Sequence, residues 1–139
     1  MIVVDANIIA YLLINGDRTA EARQLHEREP EWIVPPLWQH EFLNVLATLV
    51  KQGGGTVADA LEIWQLAQIH LVDREESVAM SEALKLATSA GISAYDAQYL
   101  TLASALGCVL VTEDKRLVQK FPDSAVTMQT YLHRMNGMS

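Results

Sequence analysis

"SAYDAQYLTLASALGCVLVTEDKRL", residues 93–117, passes from a helix signal to a strand signal with almost no spacer. Ser93 and Asp96 stand at capping-box spacing, and the run to Leu106 reads as a helix, with Tyr95, Leu102 and Leu106 assigned to packing and Tyr99 partly buried. Residues 108–112 are fit for the inside of a sheet, and they stop abruptly at Glu113-Asp114-Lys115-Arg116. A strand that is apolar throughout and follows a helix belongs to a parallel sheet covered on both faces. Ligands of such sheets bind at the carboxyl ends of the strands, where strand order reverses. Asp114 stands at such an end.

Working outward, the same alternation recurs along the chain. Residues 2–4 form a short apolar run that ends at Asp5, and "NIIAYLLING" has helical potential up to Gly16. "RTAEARQLHEREP" reads as a helix stopped by Pro30, and "WIVP" as a brief buried strand stopped by Pro35-Pro36. Leu37, Glu41, Val45, Leu46 and Leu49 follow a helical period to about Lys51, where Gly53–Gly55 ends the helix. Thr56 and Asp59 match a capping box for a helix through Gln68. "IHLVD" (69–73) reads as a strand, "EESVAMSEALKLATSAG" as a helix, 114–120 as a short helix, 125–128 as a last strand, and the remainder as a fraying tail. No linker, repeat or low-complexity tract interrupts the chain, so the expected architecture is one three-layer α/β/α domain over residues 1–139 with a central parallel sheet.

Composition limits the functions such a domain could serve. Half of the 139 residues are apolar and 19% are charged, as in a compact globular chain. The net charge of −7 argues against tight nonspecific binding of nucleic acid through a basic surface, leaving a modest cluster at Lys115, Arg116 and Lys120. The single cysteine, Cys108, has no internal disulfide partner and lies in an apolar run, which fits reducing cytoplasm. No export signal is recognised, and no apolar run approaches the roughly 18 residues needed to span a bilayer. The expectation is a cytoplasmic protein with no membrane partner.

Four carboxylates stand out. Asp5 and Asp114 follow apolar strands in the same relation, although either also suits a helix N-cap. Glu41 shares a helix stripe with Leu37 and Val45, where a carboxylate costs desolvation unless it is paired or bound to a cation. Asn44, three residues on, shares that edge. Asp96 lies in a first helical turn, where free N–H groups keep a carboxylate ionised and suited to ligating a metal. Carboxylates gathered at one rim repel each other unless a divalent cation neutralises them, and hard oxygen ligands suit Mg²⁺ or Mn²⁺.

Other chemistries fit poorly. His26, His40, His70 and His133 show no zinc-ligand spacing, and His40 reads as a surface neighbour of Glu41. There is no nucleophile elbow, and the Gly53–Gly55 loop lacks the lysine of a phosphate-binding loop. A phosphate-accepting receiver domain would begin with adjacent acids, whereas Asp5 is alone and Asp73 is a poor acceptor candidate. An acidic interaction module would explain each carboxylate singly as a cap, but needs four coincidences at one sheet edge.

"VVDANII", the Glu41 helix, "SAYDAQYLTLASALG" and "VLVTEDKRL", in that order and spanning almost the whole chain, resemble the PIN domain family, and most of all its VapC-type toxins. The resemblance implies a metal-dependent endoribonuclease on a Rossmann-like parallel sheet, with Asp5, Glu41, Asp96 and Asp114 as catalytic and Mg²⁺- or Mn²⁺-binding residues. It makes Asn7 and Thr112 supporting residues that orient Asp5 and Asp114. Glu113 adjoins them as an extra acid, either solvated or turned into the same site. The resemblance further implies an RNA substrate, a small antitoxin partner and a homodimer, with a housekeeping RNA-processing nuclease as the alternative. Trp38, Leu61 and Trp64, near the arms of the hairpin around Gly53–Gly55, mark an expected partner surface unless they are core packing.

Overall fold

Alternation along very short strands decides which side of the sheet each residue serves. In β1 (Ile2–Val4), Ile2 and Val4 join one core cluster while Val3 joins the other. β2 (Trp32–Ile33), β3 (Leu110–Val111) and β4 (Ala125–Val126) repeat the division, with Trp32, Val111 and Val126 on the first side and Ile33, Leu110 and Ala125 on the second. A computed structural model of the chain describes residues 1–137, and its sheet has the order β2-β1-β3-β4 with every neighbouring pair parallel. Helices cover both faces, giving the expected α/β/α architecture.

On the first face lie α1 (Ala6–Leu13), α2 (Thr19–Arg28), α3 (Trp38–Lys51), α4 (Val57–Leu71) and α8 (Met128–Asn136). The second face is covered by α6 (Ala94–Leu106) and α7 (Lys115–Lys120), with α5 (Met80–Ala90) packed outside α6. Thr56 accepts from the Asp59 N–H while Asp59 accepts from the Thr56 N–H, completing the capping box that starts α4. Ser93 likewise accepts from the Asp96 N–H. Gly107 terminates α6 at φ 68°, a left-handed conformation that glycine adopts without penalty, and so turns the chain directly into β3.

Four expectations require correction. The segment 69–73 is not a strand: α4 runs on to Leu71 and a 3-10 turn, Val72–Arg74, follows. Ala67 and Leu71 share a buried helical face, whereas Ile69 is 75% exposed, an arrangement that four-residue spacing produces and strand alternation does not. Just after this segment, Glu75 forms one isolated parallel bridge with Val34. The last strand ends at Val126, because Thr127 caps α8 by accepting from the Thr130 N–H. The chain after it is therefore helical to Asn136 rather than a fraying tail, and residues 138–139 of that expected tail lie outside the described residues. Within α6 the tyrosines exchange roles: Tyr99 is 2% exposed and Tyr95 is 59% exposed. No helix of the described residues is long and apolar enough to cross a membrane.

Candidate functional site

β1 is the point where strand order reverses, since the chain runs from it to β2 on one side and then crosses back to β3 on the other. The crevice at the carboxyl ends of β1 and β3 is thus the position that the topology reserves for a ligand. Asp5 is the first residue past β1, and it caps α1: its Oδ1 accepts from the Ile8 N–H at 3.1 Å. Its Oδ2 accepts from the Thr112 hydroxyl at 2.5 Å. Thr112, fully buried one residue past β3, also accepts from the Asp114 N–H at 3.1 Å. One threonine therefore ties both strand-end aspartates together. Asp114 is exposed and caps α7, its Oδ1 accepting from the Arg116 and Leu117 N–H groups.

Two helices supply the remaining acids. α3 brings Glu41, whose Oε1 accepts from the Tyr99 hydroxyl at 2.5 Å. α6 brings Asp96 in its first turn. Asp5, Glu41, Asp96 and Asp114 line a single cleft of about 490 Å³, together with Asn7, Leu37, His40, Asn44, Val45, Tyr95 and Tyr99. An apolar hollow of comparable volume between α3 and α4 carries no carboxylate.

The electrostatics follow from crowding like charges in a partly dry cleft. Burial pushes the Asp5 carboxyl up to about 6, opposed by the Thr112 hydroxyl and the Ile8 and Asn7 N–H groups and reinforced by the charge of Glu41. Burial also raises Glu41, with the Tyr99 hydroxyl opposing and Asp96 adding to the rise. Asp96 is raised by burial and then by Asp114, with Ser93 opposing. Tyr99 itself is held well above the ordinary phenol value by burial and by Glu41. Asp5, Glu41 and Asp96 thus each sense a neighbouring acid, and among the described residues no lysine, arginine or histidine forms a salt bridge with any of the four. They are not packed tightly: no three His, Cys, Asp or Glu of the described residues are grouped closely enough to hold a metal ion directly.

The supporting residue Asn7 and the extra acid Glu113 stand differently toward the cleft. Asn7 lines the cleft and is exposed; its contact with Asp5 is through the backbone N–H, so its side chain does not orient that carboxylate. Glu113 turns away from the cleft, where it pairs with Arg18 and accepts from the Met128 N–H at 3.2 Å at the start of α8. The residue that sequence reasoning missed is Tyr99. Its spacing of three from Asp96 puts it on the same side of α6, but only the tertiary fold brings its hydroxyl to Glu41.

The expected partner surface also divides. Trp38 is fully buried and donates from Nε1 to Glu75 at 2.8 Å, so it belongs to the core. Trp64 is half-buried, stacked at 6.1 Å on Trp38 and 6.4 Å on Phe42. Leu61 is 56% exposed, on an apolar hollow of about 480 Å³ between α3 and α4.

A family model described as the PIN domain matches residues 2–121. Ribonuclease VapC3 of Pyrobaculum aerophilum is 30% identical over 125 residues, covering 87% of this chain and 95% of that protein. Ribonuclease VapC9 of Mycobacterium tuberculosis is 38% identical over 117 residues, 84% of this chain and 88% of that protein. Among solved structures, PAE2754 from Pyrobaculum aerophilum superposes with a TM-score of 0.76 at 24% identity, covering 97% of this chain and 96% of that one. A toxin-antitoxin complex from Klebsiella pneumoniae gives 0.65 at 18% identity, over 92% and 98%. At those identities the two structural likenesses are likenesses of fold.

Proposed function

The chain belongs to the PIN domain family and is closely related to VapC-type toxin ribonucleases; from that premise we propose that it is a divalent-metal-dependent endoribonuclease, the toxin of a type II toxin-antitoxin pair. One observation carries the reading. Four carboxylates from four separate elements, Asp5, Glu41, Asp96 and Asp114, line one cleft at the switch point of the sheet, and among the described residues no cationic side chain forms a salt bridge with them. The nuclease domain of this proposal is the whole chain, 1–139, acting in the cytoplasm.

The donor set fits a hard cation that keeps much of its water. Mg²⁺ is commonly held by one or two carboxylates directly, with waters completing its shell, and the spread of these acids matches that density better than a dedicated cage. Asp5, Asp96 and Asp114 are assigned as the main ligands of Mg²⁺ or Mn²⁺, no more than two of them directly and the rest through water, and Glu41 as an additional or water-mediated one. When bound, the ion supplies neutralisation of phosphate charge and activation of water. The protein supplies position: Thr112 fixes Asp5 relative to the Asp114 backbone, and the Tyr99 hydroxyl favours the ionised form of Glu41 and fixes its aim. In-line attack of water at phosphorus with departure of the 3′-oxygen leaves a 5′-phosphate and a 3′-hydroxyl, without a covalent enzyme intermediate.

The test is incubation of the pure protein with a panel of structured RNAs, with and without Mg²⁺ or Mn²⁺. Cleavage is expected with metal and lost with chelator. Cleavage that chelator leaves undiminished contradicts the metal role, and intact RNA throughout favours an acidic interaction module. The relatives' names support a ribonuclease, and the fold shared with a toxin-antitoxin complex supports a small antitoxin partner. A homodimer is part of the same reading. A neighbouring gene for a short partner separates a toxin from a housekeeping RNA-processing nuclease.

A further inference from the structure

The acidic cleft does not end at the carboxylates. It runs into a second groove of about 580 Å³, and the two share Asn7, Asn44 and Val45 along their common border. Beyond that border the second groove is lined by Tyr11, Asn15, Asp17 and Gln52, among other groups, and it ends near Arg18. Asn7, Asn15, Asn44 and Gln52 are solvent-exposed, so their amides face whatever enters. On the acidic cleft itself stands Tyr95, whose ring is 59% exposed in the first turn of α6, next to Asp96.

The charge of this path is unusual for a track that follows a nucleic-acid backbone. Among the described residues lining either cavity there is no lysine; Arg18 is the one guanidinium, and it is already paired with Glu113. The chain as a whole carries a net charge of −7. Backbone-driven binding requires lysines and arginines that displace counterions from phosphates, and this path does not provide them. It does provide carboxamides, each with a donor and an acceptor that match base edges, and an open aromatic face on which a base stacks.

We propose that the second groove is a base-reading subsite for unpaired RNA next to the scissile bond. Tyr95, on the adjoining acidic cleft, is the stacking platform, and Asn7, Asn44, Asn15 and Gln52 read base edges. Recognition therefore resides in bases rather than phosphates, and it requires a single-stranded segment, because paired bases present neither their faces nor their Watson–Crick edges. The inference rests on the nuclease reading of the acidic cleft, but its test does not depend on cleavage.

Binding of fluorescent RNA 8-mers (oligo-U, oligo-A, oligo-C and a mixed sequence) and of a mixed-sequence duplex is measured by anisotropy in Ca²⁺, which neutralises the carboxylates; the RNA is checked for integrity afterwards. The expected result has three parts. Single strands bind at least about 10-fold more tightly than duplex, and affinities differ by a similar factor among the 8-mers. Raising salt from 50 to 200 mM weakens binding by less than about 10-fold, the loss expected for one or two phosphate contacts. Tyr95→Ala and Asn44→Ala each weaken the preferred 8-mer by about 5-fold or more; both residues are exposed, so folding is unaffected. Equal affinity for duplex, a salt loss of 100-fold or more, unchanged binding in both variants, or no binding of any RNA overturns the proposal. The nuclease reading fails separately: an 8-mer that binds in this manner but stays intact in Mg²⁺ and Mn²⁺ leaves the groove in place and removes the cleavage chemistry.

Discussion

Asp114 combines a cap and a proposed ligand in one carboxylate, since Oδ1 accepts from the Arg116 and Leu117 N–H groups that begin α7. Asn caps a helix nearly as well as Asp. Asp114→Asn is therefore expected to fold normally and to lower metal-dependent cleavage by at least about 100-fold, the scale of losing a principal electrostatic group. Glu113→Gln, which weakens the contact with Arg18 at the opposite side of the loop, is expected to remain within about 10-fold of wild type; rates at equal folded fraction decide, and the reverse ranking assigns the ligand to Glu113. Asp5 supports a different measurement. Its carboxyl is raised to about 6 in the folded chain, chiefly by burial. Between about pH 4 and pH 6 the folded state then holds more protons at this site than the unfolded state, so stability falls as pH rises through that window. Glu41 and Asp96 are shifted in the same direction. Asp5→Asn is expected to stabilise the metal-free protein by about 1–3 kcal/mol at pH 8 and by little at pH 4, as read from urea unfolding. No gain at pH 8 would mean that the Thr112 and Ile8 hydrogen bonds already offset the burial cost.

At the scale of elements, α3 and α4 use their aromatic and aliphatic groups for opposite purposes. Trp38 lies fully buried under α4 and is tied to Glu75, so Trp38→Ala is expected to cost about 3–5 kcal/mol and reports on the core. Leu61 faces the hollow between the two helices and is 56% exposed. Leu61→Glu is expected to leave the melting temperature within a few degrees of wild type while disrupting the proposed dimer or antitoxin complex. Size-exclusion chromatography with light scattering checks both assemblies, and unchanged assembly in this variant removes the hollow from the interface. The hairpin between the helices is closed by Gly53 at φ 79°, which is why the glycine run marks a reversal in the chain.

For the whole molecule, folding and metal binding are linked through the crowded acids. A cation that binds only the folded chain stabilises it by RT ln(1 + [L]/Kd), about 1.4 kcal/mol at tenfold excess over Kd. Mg²⁺ or Mn²⁺ is thus expected to raise the melting temperature by roughly 3–5 °C in a calorimetric scan, reversed by chelator and reduced in Asp114→Asn. A melting temperature that no divalent ion moves would count against the proposed ligand set.

Much of this was legible in the chain itself because the signals are local. The strand of residues 2–4, the capping box at Thr56, the Ser93 cap and the passage from α6 into β3 depend on signals within a few residues, and each is legible from those signals alone. The three-layer class follows from that alternation, and the four acids could be placed at strand ends and on helix faces for the same reason. What lies between elements distant in sequence was not encoded in any window. Whether 69–73 becomes strand or helix depends on an available place in the sheet, and the packed face of Ala67 and Leu71 decided for helix. Which of the two tyrosines of α6 is buried depends on what covers that helix: Tyr99 meets Glu41 across 58 positions of chain, while Tyr95 is left to solvent. Glu113 and Asp114 are adjacent and alike in charge, yet Arg18 and the Met128 N–H draw one away while the α7 N–H groups and the cleft hold the other. Local spacing fixes backbone geometry, because its energies act between near neighbours; the direction of a carboxylate is fixed by partners that only folding brings within reach.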